Sequence, residues 1–400
     1  MTRTLVTGIG VVAPNGQGLD PYWEATLEGR GGIGPLTRFD TTDYPARLAG
    51  QVDIDPAEHL PSRLLPQTDV STRLALIAAD WALADAKGGT ERVDYDMGVV
   101  TANASGGFEF THREFKKLWT QGSSAVSVYE SFAWFYAVNT GQISIRHGMR
   151  GPSSALVAEQ AGGLDAIGHA RRTVARGTPL VVTGGVDSAF DPWGWVSHLS
   201  SGRVSTATDP DRAYLPFDAH ADGYVPGEGG AILVLEDAAT EGAVDRAYGA
   251  VAGYASTFDP PPGSPRPPGL ARAAEAALAD AGLAPQDVDV VFADAAGTPD
   301  QDRAEAQALR EVFGERGVAV TAPKSLHGRL LSGGGPVDVA TALMSIRDGV
   351  VPPTHKTSEV PAEYGIDLVR GAAREQRVEC ALVLARGRWG FNSAVVVTSA

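Results

Sequence analysis

The sequence predicts an α/β protein made of two related α/β halves, and three observations support this prediction. Apolar runs of strand length alternate with helical patterns along the 400 residues. The runs are continuous rather than alternating, which is typical of strands covered on both faces. Finally, a helix at 270–281 followed by a strand at 288–292 repeats the order of a helix at 73–86 followed by a strand at 97–101.

The individual elements follow from local composition. Continuous apolar runs predict strands at residues 4–7, 97–101, 180–183, 231–235, 288–292, 318–321, 380–385 and 394–398. Apolar residues at helical spacing predict helices at residues 73–86, 160–176, 270–281, 299–313 and 337–346. The boundary between the halves is expected near residues 238–248, which gives an N-terminal half of residues 1–243 and a C-terminal half of residues 244–400.

Composition excludes several kinds of partner. The net charge is -15, whereas nucleic acid and anionic membranes both attract basic surfaces. No run approaches the roughly 18 apolar residues of a transmembrane helix, so no membrane partner is expected. The single cysteine, Cys380, cannot form an intrachain disulfide, which fits a reducing cytoplasm. Its apolar strand predicts a buried, inert thiol.

Two familiar kinds of site are not indicated. The stretch GIGVVA at 8–13 resembles a dinucleotide-binding fingerprint, but PNG at 14–16 follows where a helix should continue, so a plain turn is predicted. The histidines and the single cysteine show no metal-ligand spacing. We therefore expect neither a bound cofactor nor a metal, and we interpret His112 and His169 as polar contacts on helices.

The stretch ALVAEQAGGLDA at residues 155–166 predicts a sharp turn from a strand into a helix, a position at which many enzymes carry a nucleophile. The turn residue is Gln160, whose amide cannot form a covalent acyl intermediate. The amide can form hydrogen bonds, and at a helix N-terminus it could help to bind a thioester carbonyl or a carboxylate. The alternative is a polar cap on a structural helix, and spacing alone leaves both interpretations open.

A second candidate site lies in PKSLHGRLLSGGGPVDVATAL, residues 323–343. Lys324 follows a predicted strand, and glycines at 333–335 precede a predicted helix, an arrangement that can cradle an anion. A Walker phosphate loop is excluded because proline and valine follow the glycines where it needs lysine and serine or threonine. Lys324 and Arg329 are therefore either an anion site or a solvated surface pair, which is the default for isolated charges.

Aromatic residues concentrate in GGFEFTHREFKKLW at 106–119 and YESFAWFYAVN at 129–139, although only 7% of the chain is aromatic. Such clusters mark a core or an interface that a partner covers. Phe108, Thr111 and Phe115 have the spacing of one helical face, provided that their segment is a helix.

Taken together, these stretches resemble the β-ketoacyl synthase family over nearly the whole chain. The matching segments are VTGIGVVAPNG at the start, LPFDAHADGYVPGEGGAILVLE at 215–236, the turn at Gln160, AAGT, PKS and GRWGFNSAVVV at 387–397. The resemblance implies a thiolase-like fold, in which the two α/β halves form a layered αβαβα architecture.

An active member of that family uses a cysteine nucleophile and two histidines, and all three are replaced here. Gln160 matches the cysteine position, Ala296 and Arg329 match the two histidine positions, and Lys324 matches the family lysine. Without a thiolate no acyl-enzyme forms, and without two imidazoles no pair of N–H groups stabilises the enolate of a decarboxylating malonyl thioester. His327 is two residues out of register and is not expected to compensate. The chain by itself is therefore not expected to catalyse condensation.

These departures resemble one subfamily, the ketosynthase β-subunits or chain length factors of bacterial type II aromatic polyketide synthases, for which VAEQAGG is a signature. The resemblance implies a heterodimer with a catalytic ketosynthase α-subunit, and a phosphopantetheinyl acyl carrier protein as a further partner. Malonyl and poly-β-ketone thioesters would be the substrates, in antibiotic biosynthesis. Two alternatives stay open: a self-sufficient decarboxylating or condensing homodimer that acts through Gln160 and Lys324, or a pure scaffold for the partner subunit.

The subfamily resemblance carries two finer expectations. The segment that holds Phe108, Thr111 and Phe115 lines the end of a tunnel at the dimer interface, where bulky side chains stop elongation. The two phenylalanines therefore predict a short tunnel and a product near octaketide length. Gln160 is expected to assist malonyl decarboxylation, because an amide near a helix N-terminus could stabilise the enolate oxygen.

Overall fold

The computed structural model describes residues 3–86, 93–261 and 263–400. Strands from the start and from the end of the chain lie in one mixed sheet. The strands are β1 (Thr4–Ala13), β2 (Gly16–Gln17), β3 (Ile33–Pro35), β4 (Leu48–Gly50), β5 (Met97–Ala102), β6 (Ser153–Leu156), β7 (Leu180–Asp187), β8 (Gly229–Asp237), β9 (Gly249–Phe258), β10 (Val290–Phe292), β11 (Ala319–Thr321), β12 (Val350–Val351), β13 (Asp367–Leu368), β14 (Arg374–Glu375), β15 (Cys380–Gly387) and β16 (Phe391–Thr398). The helices are α1 (Leu19–Glu28), α2 (Val70–Asp85), α3 (Phe108–Gln121), α4 (Glu130–Ala133), α5 (Val138–His147), α6 (Gly162–Ala175), α7 (Pro192–Leu199), α8 (Ala243–Arg246), α9 (Leu270–Ala281), α10 (Pro299–Phe313) and α11 (Gly334–Asp348).

The two halves of the sheet share one topology. The strand order is β13-β11-β10-β15-β16-β9-β1-β8-β7-β5-β6. In the first half, β5 is parallel to β6 and β7, and β8 and β1 follow antiparallel. In the second half, β10 is parallel to β11 and β15, and β16 and β9 follow antiparallel. The halves meet where β1 pairs with β9, and α8, in which residue 243 lies, precedes β9. This repeat confirms the predicted pair of related α/β halves.

Helices cover the strands from outside and separate the two halves inside. Helix α2 packs on β1, β8 and β7, whereas α9 packs on β9 and β16 and is covered by α10. Between them, α6 and α11 contact each other and strands of both halves. The layers in space therefore follow the order helices, strands, helices, strands, helices, which is the αβαβα architecture that the resemblance implied. No helix within the described ranges is long and apolar enough to cross a bilayer.

The predicted strands and helices are present with small shifts at their ends. The plain turn predicted at residues 8–13 is wrong, because these residues continue β1. Gly8 and Gly10 allow close packing on α2: a Cβ atom at Gly10 would lie 2.0 Å from the carbonyl oxygen of Ala78. Cys380 is buried in β15, and burial raises the pKa of its thiol to about 12, as expected for an inert side chain.

Candidate functional site

The sharp turn predicted at Gln160 is present. After β6, Glu159 takes a left-handed backbone conformation with φ of 51°, and α6 then begins at Gly162. Gly163 packs closely on the loop before α11, where a Cβ atom would lie 2.1 Å from the carbonyl oxygen of Ser332. The turn thus places Gln160 at the N-terminus of α6 and against the second half of the chain.

The amide of Gln160 is buried and bound by protein groups on both sides. In the orientation that satisfies its neighbours, Nε2 donates to the carbonyl oxygen of Leu331 at 3.0 Å, and Oε1 accepts from Nε of Arg329 at 3.3 Å. Gln160 therefore ties the turn to the segment between β11 and α11.

Arg329 is buried, so the default expectation of a surface charge is wrong for this residue. Its guanidinium donates to both carboxylate oxygens of Asp294, at 3.0 and 3.1 Å. Burial alone would lower the pKa of Arg329, but Asp294 raises it above its usual value. Burial alone would likewise raise the pKa of Asp294, but Arg329 and Lys324 lower it. Arg329 and Asp294 are therefore both charged, and each supplies the counterion and hydrogen-bonding partner of the other.

Lys324 is buried too, and the surface expectation is wrong here as well. Its Nζ lies 2.6 Å from Oδ2 of Asp338 on α11 and donates to the carbonyl oxygen of Ala293 at 2.6 Å. Burial raises the pKa of Asp338 to about 6, although Lys324 opposes the shift. Lys324 and Arg329 are thus each paired with an aspartate of this chain. These carboxylates occupy the positions that an external anion would take in the anion site considered from the sequence.

Ala296 lies in a tightly held segment beside this pair. The preceding backbone N–H groups of Asp294 and Ala295 donate to Glu305 at 2.8 Å, and Gly297 donates to Asp302 at 2.9 Å. The methyl group of Ala296 is buried and offers no donor or acceptor.

The structure brings Gln160, Lys324 and Arg329 together around one small space, which Ala296 does not line. Its volume is about 10 Å³, no more than a single water molecule requires. An acyl thioester cannot enter a space of this size. As packed in the chain alone, the space beside Gln160, Lys324 and Arg329 therefore has no room for an acyl group.

The three histidines that the sequence singled out lie in different surroundings. His327 points to Tyr22, with its ring centroid 6.2 Å away, and burial together with Lys324 lowers its pKa to about 3. His112 contacts Asp191 through Nδ1 at 2.6 Å, which makes it the polar contact that was predicted. His169 lies on α6. Within the described residues, no group of three or more His, Cys, Asp or Glu side chains could hold a metal ion.

Two larger cavities lie next to this site. The arginine cavity, of about 310 Å³, is defined by Glu159, Arg203, Arg329, Arg386, Arg388 and Trp389. The α3 cavity, of about 390 Å³, is defined by Phe108, Val157, Ala189, His198, Trp389 and Phe391. Glu159, Arg388 and Trp389 line both, so the two cavities adjoin.

The three residues predicted at the tunnel end all lie on helix α3. Phe108 lines the α3 cavity, and Thr111 is buried. Phe115 is 41% exposed and lines a surface groove with Trp119, Trp193 and Val196, here named the aromatic groove. The rings of Phe108 and Phe115 contact Trp193 of α7, with centroids 5.2 and 5.9 Å away. The two phenylalanines are thus brought together around one tryptophan.

Several residues of the site were missed from the sequence. Asp294 and Asp338 were not recognised as counterions because nothing near them in sequence indicates their pairing with Arg329 and Lys324. Trp193 was missed because α7 has no long apolar pattern. The arginines at 386 and 388 stand in a short LARGRWG segment, and that pair of charges next to an apolar strand was the available signal.

The fold and the family comparison define the class of protein as a β-ketoacyl synthase. Residues 1–241 match the N-terminal domain and residues 248–358 the C-terminal domain of β-ketoacyl synthase, so the chain belongs to the β-ketoacyl synthase family.

The chain is similar to two Streptomyces proteins over nearly its whole length. It is 71% identical over 397 residues to an actinorhodin polyketide putative beta-ketoacyl synthase 2 of Streptomyces coelicolor, covering 98% of each chain. It is 60% identical over 398 residues to a tetracenomycin polyketide synthase ketoacyl synthase beta subunit of Streptomyces glaucescens, covering 98% of this chain and 97% of the relative.

Solved structures share the fold. The ishigamide ketosynthase/chain length factor matches with a TM-score of 0.89 at 24% identity, covering 100% of this chain and 99% of the other. A type II polyketide synthase acyl carrier protein in complex with its ketosynthase bound to the hexaketide matches with a TM-score of 0.88 at 23% identity, covering 100% of each chain.

Proposed function

We propose that this chain is the β-subunit, or chain length factor, of a type II polyketide synthase, which acts in a heterodimer with a catalytic ketosynthase α-subunit. One observation carries the proposal. The family fold is complete, yet Gln160 and two internal ion pairs fill the position at which the family resemblance expects a nucleophile and its substrate. The tetracenomycin relative is named as a ketoacyl synthase beta subunit, which supports the same assignment.

The surface around β6 supports a heterodimer. Strand β6 ends the sheet, so one of its edges has no neighbouring strand in the described part of the chain. Close to it in the sequence or on α3 and α7, large apolar side chains are exposed: Val157 at 50%, Trp119 at 81%, Trp193 at 45% and Val196 at 51%. An open strand edge and exposed apolar groups both favour coverage by another chain.

The substrate side of the proposal places a growing poly-β-ketone in the α3 cavity and assigns its delivery to an acyl carrier protein. The cavity lining combines apolar groups such as Phe108 and Phe391 with polar groups such as Ser105 and His198, as suits a poly-β-ketone with its apolar backbone and regularly spaced carbonyl groups. A carrier protein is named in a structure that shares this fold, which supports the partner without identifying its contact surface.

Phe108 and Phe115 together with Trp193 are proposed to limit the chain length, with an octaketide as the expected product. Trp193 packs between the two rings, so replacing both phenylalanines by alanine should open space next to the α3 cavity. The test expresses the double variant with its α-subunit and measures product length by mass spectrometry. A longer product is expected. Tyr95→Ala, an exposed aromatic outside both cavities, is the control that should leave the length unchanged.

A single comparison separates the proposal from its alternatives. The purified chain alone, the α-subunit alone and the heterodimer are each supplied with malonyl acyl carrier protein, and carbon dioxide release and chain products are measured. The proposal expects condensation by the heterodimer only, with product length altered by changes in this chain. Condensation by the chain alone would establish a self-sufficient enzyme. If no change at Phe108 or Phe115 alters the product length, the chain would be a pure scaffold for the partner subunit.

The Gln160 amide is proposed to aid decarboxylation of malonyl groups within the heterodimer, which requires the packing around it to open, because the space beside it is about 10 Å³ in the chain alone. Gln160→Ala should slow priming from malonyl acyl carrier protein but not elongation from a supplied acetyl starter. Gln160→Ala also removes the hydrogen bonds to Leu331 and Arg329, so heterodimer formation is measured alongside. If neither rate changes, Gln160 has a structural role only.

A further inference from the structure

The arginine cavity faces more positive than negative charge. The guanidinium groups of Arg203, Arg329, Arg386 and Arg388 line it. Among the described residues that line the cavity, Glu159 is the only carboxylate. A cavity with such a lining is stable in the absence of a ligand only where other carboxylates neutralise the arginines from behind.

That neutralisation is complete for one arginine and incomplete for the others. Arg329 is held by both oxygens of Asp294. Arg386 has its guanidinium 3.9 Å from Asp259, at the outer limit of an ion pair, and donates to the carbonyl oxygen of Gln301 at 3.3 Å. Arg203 lies 3.6 Å from the exposed carboxylate of Asp300.

Arg388 has the least compensated charge. Its guanidinium donates to the carbonyl oxygen of Ser200 at 3.3 Å and lies over the ring of Trp389 at 4.7 Å. No carboxylate lies within ion-pair distance of that guanidinium in the part of the chain that the structure describes. The Arg388 contact with Glu159 is made by its backbone N–H, so that carboxylate does not occupy the guanidinium, whose remaining N–H groups can bind a ligand.

The backbone holds this lining in an unusual conformation. Glu159 and Trp389 both have positive φ, at 51° and 76°, although neither is glycine. The carboxylate of Glu159 accepts the Arg388 backbone N–H, so the turn before α6 and the turn after β15 hold each other. Backbone strain of this kind persists where the surrounding structure fixes it, and it concentrates at ligand sites.

We infer that the arginine cavity binds a small, doubly charged oxyanion, either a phosphate group or a dicarboxylate, through Arg386 and Arg388, with Arg203 at its rim. A guanidinium fork donates two parallel hydrogen bonds to such a group. The volume of about 310 Å³ accommodates the anion, whereas the 10 Å³ space at Gln160 does not. This site needs no partner subunit, so its failure would leave the proposed function standing.

The test is calorimetric titration of the full chain with inorganic phosphate and, separately, with malonate, at an ionic strength held constant with sodium chloride. The variants are Arg388→Gln, which keeps the backbone contact to Glu159, and Arg386→Gln. Each is expected to weaken binding roughly tenfold to a hundredfold, as loss of a charge-assisted hydrogen-bonded pair implies. Arg377→Gln, at a side chain that is 85% exposed and paired with Glu379, is the matched control and should bind like the unchanged chain.

The comparison of the two probes identifies the ligand class, because tighter phosphate binding indicates a phosphate group and tighter malonate binding a dicarboxylate. Circular dichroism establishes that both variants are folded. The inference is overturned if neither dianion binds above the chloride background, or if folded Arg388→Gln and Arg386→Gln bind as tightly as the control.

Discussion

At the scale of single residues, Arg329 and Asp294 illustrate how the chain accommodates a buried charge. A buried guanidinium is tolerated because Asp294 accepts two hydrogen bonds from it and in turn accepts the backbone N–H of Arg386 at 2.9 Å. The charges of the pair are therefore compensated inside the chain.

Removing one partner of this pair should destabilise the chain strongly. Asp294→Ala leaves the buried Arg329 guanidinium without a counterion, which typically costs about 3–5 kcal/mol. Urea unfolding followed by circular dichroism measures the loss. Glu379→Ala removes the exposed partner of Arg377 and should change the free energy of unfolding by no more than about 0.5 kcal/mol. Equal effects of the two substitutions would show that the buried pair is not stabilising in the way described.

Asp302 should give the stability of the chain a distinctive pH dependence. Burial raises its pKa to about 7, far above its value of about 3.9 in an unfolded chain. Between about pH 4 and pH 7 the folded chain therefore holds a proton that the unfolded chain has lost. The free energy of unfolding should fall across this window as pH rises, by up to about 1.4 kcal/mol per pH unit from this group.

Unfolding in urea at pH 5, 6, 7 and 8 measures that slope. Asp302→Asn cannot titrate, so its free energy of unfolding should fall less steeply than that of the unchanged chain as pH rises. Asp300→Asn, on the same helix at a side chain that is 69% exposed, should keep the original slope. A slope that Asp302→Asn leaves unchanged would assign the titration to another group.

At the scale of elements, strands and helices could be predicted from the sequence where their apolar residues form an unbroken or regularly spaced pattern. Strands such as β7 and β8 are buried on both faces, so their sequences are unbroken apolar runs. Strand β9 was missed although it joins the two halves, because GAVAGYASTF mixes glycine, serine, threonine and tyrosine and its later residues are partly exposed. Helix α1 was missed for a similar reason, since only four of its ten residues are buried.

Strand β6 carries a prediction about assembly. The backbone N–H groups of Val99 and Asn103 donate to the carbonyl oxygens of Pro152 and Leu156, so the backbone groups of Ser153 and Ala155 point to the open edge. Ala155→Pro removes an outward N–H group and should reduce heterodimer formation if the α-subunit pairs with this edge. Size-exclusion chromatography of the co-expressed subunits measures the yield.

The control for this edge is Ala155→Val, which keeps the N–H group and suits a strand. It should form the heterodimer as the unchanged chain does. Circular dichroism of each purified chain establishes that the proline variant is folded. A folded Ala155→Pro chain that assembles in full would place the heterodimer contact elsewhere, on the aromatic groove or beyond it.

At the scale of the whole molecule, the candidate site is assembled from segments that are far apart in sequence. The turn at Gln160 was predictable because a strand, a turn and a helix are contiguous. The burial of Lys324 and Arg329 was not, because it depends on Asp338 and Asp294, and on two helices, α6 and α11, that meet only in the folded chain. From the sequence alone, a charged residue is expected at the surface unless the counterion that would allow its burial can be identified.

The same dependence predicts that activity cannot be restored by replacing residues one for one. A variant with Gln160→Cys, Ala296→His and Arg329→His recovers the three residue types of a condensing enzyme. It should still form no acyl adduct, because the loss of Arg329 leaves Asp294 buried without its partner and so disturbs the packing around residue 160. Intact-protein mass spectrometry after incubation with an acyl carrier protein thioester detects an adduct. The catalytic α-subunit, treated in the same way, is the positive control. An acylated triple variant that remains folded would mean that the lost residue types alone separate this chain from an active synthase, whereas an unacylated one assigns the difference to the packing of both halves around the site.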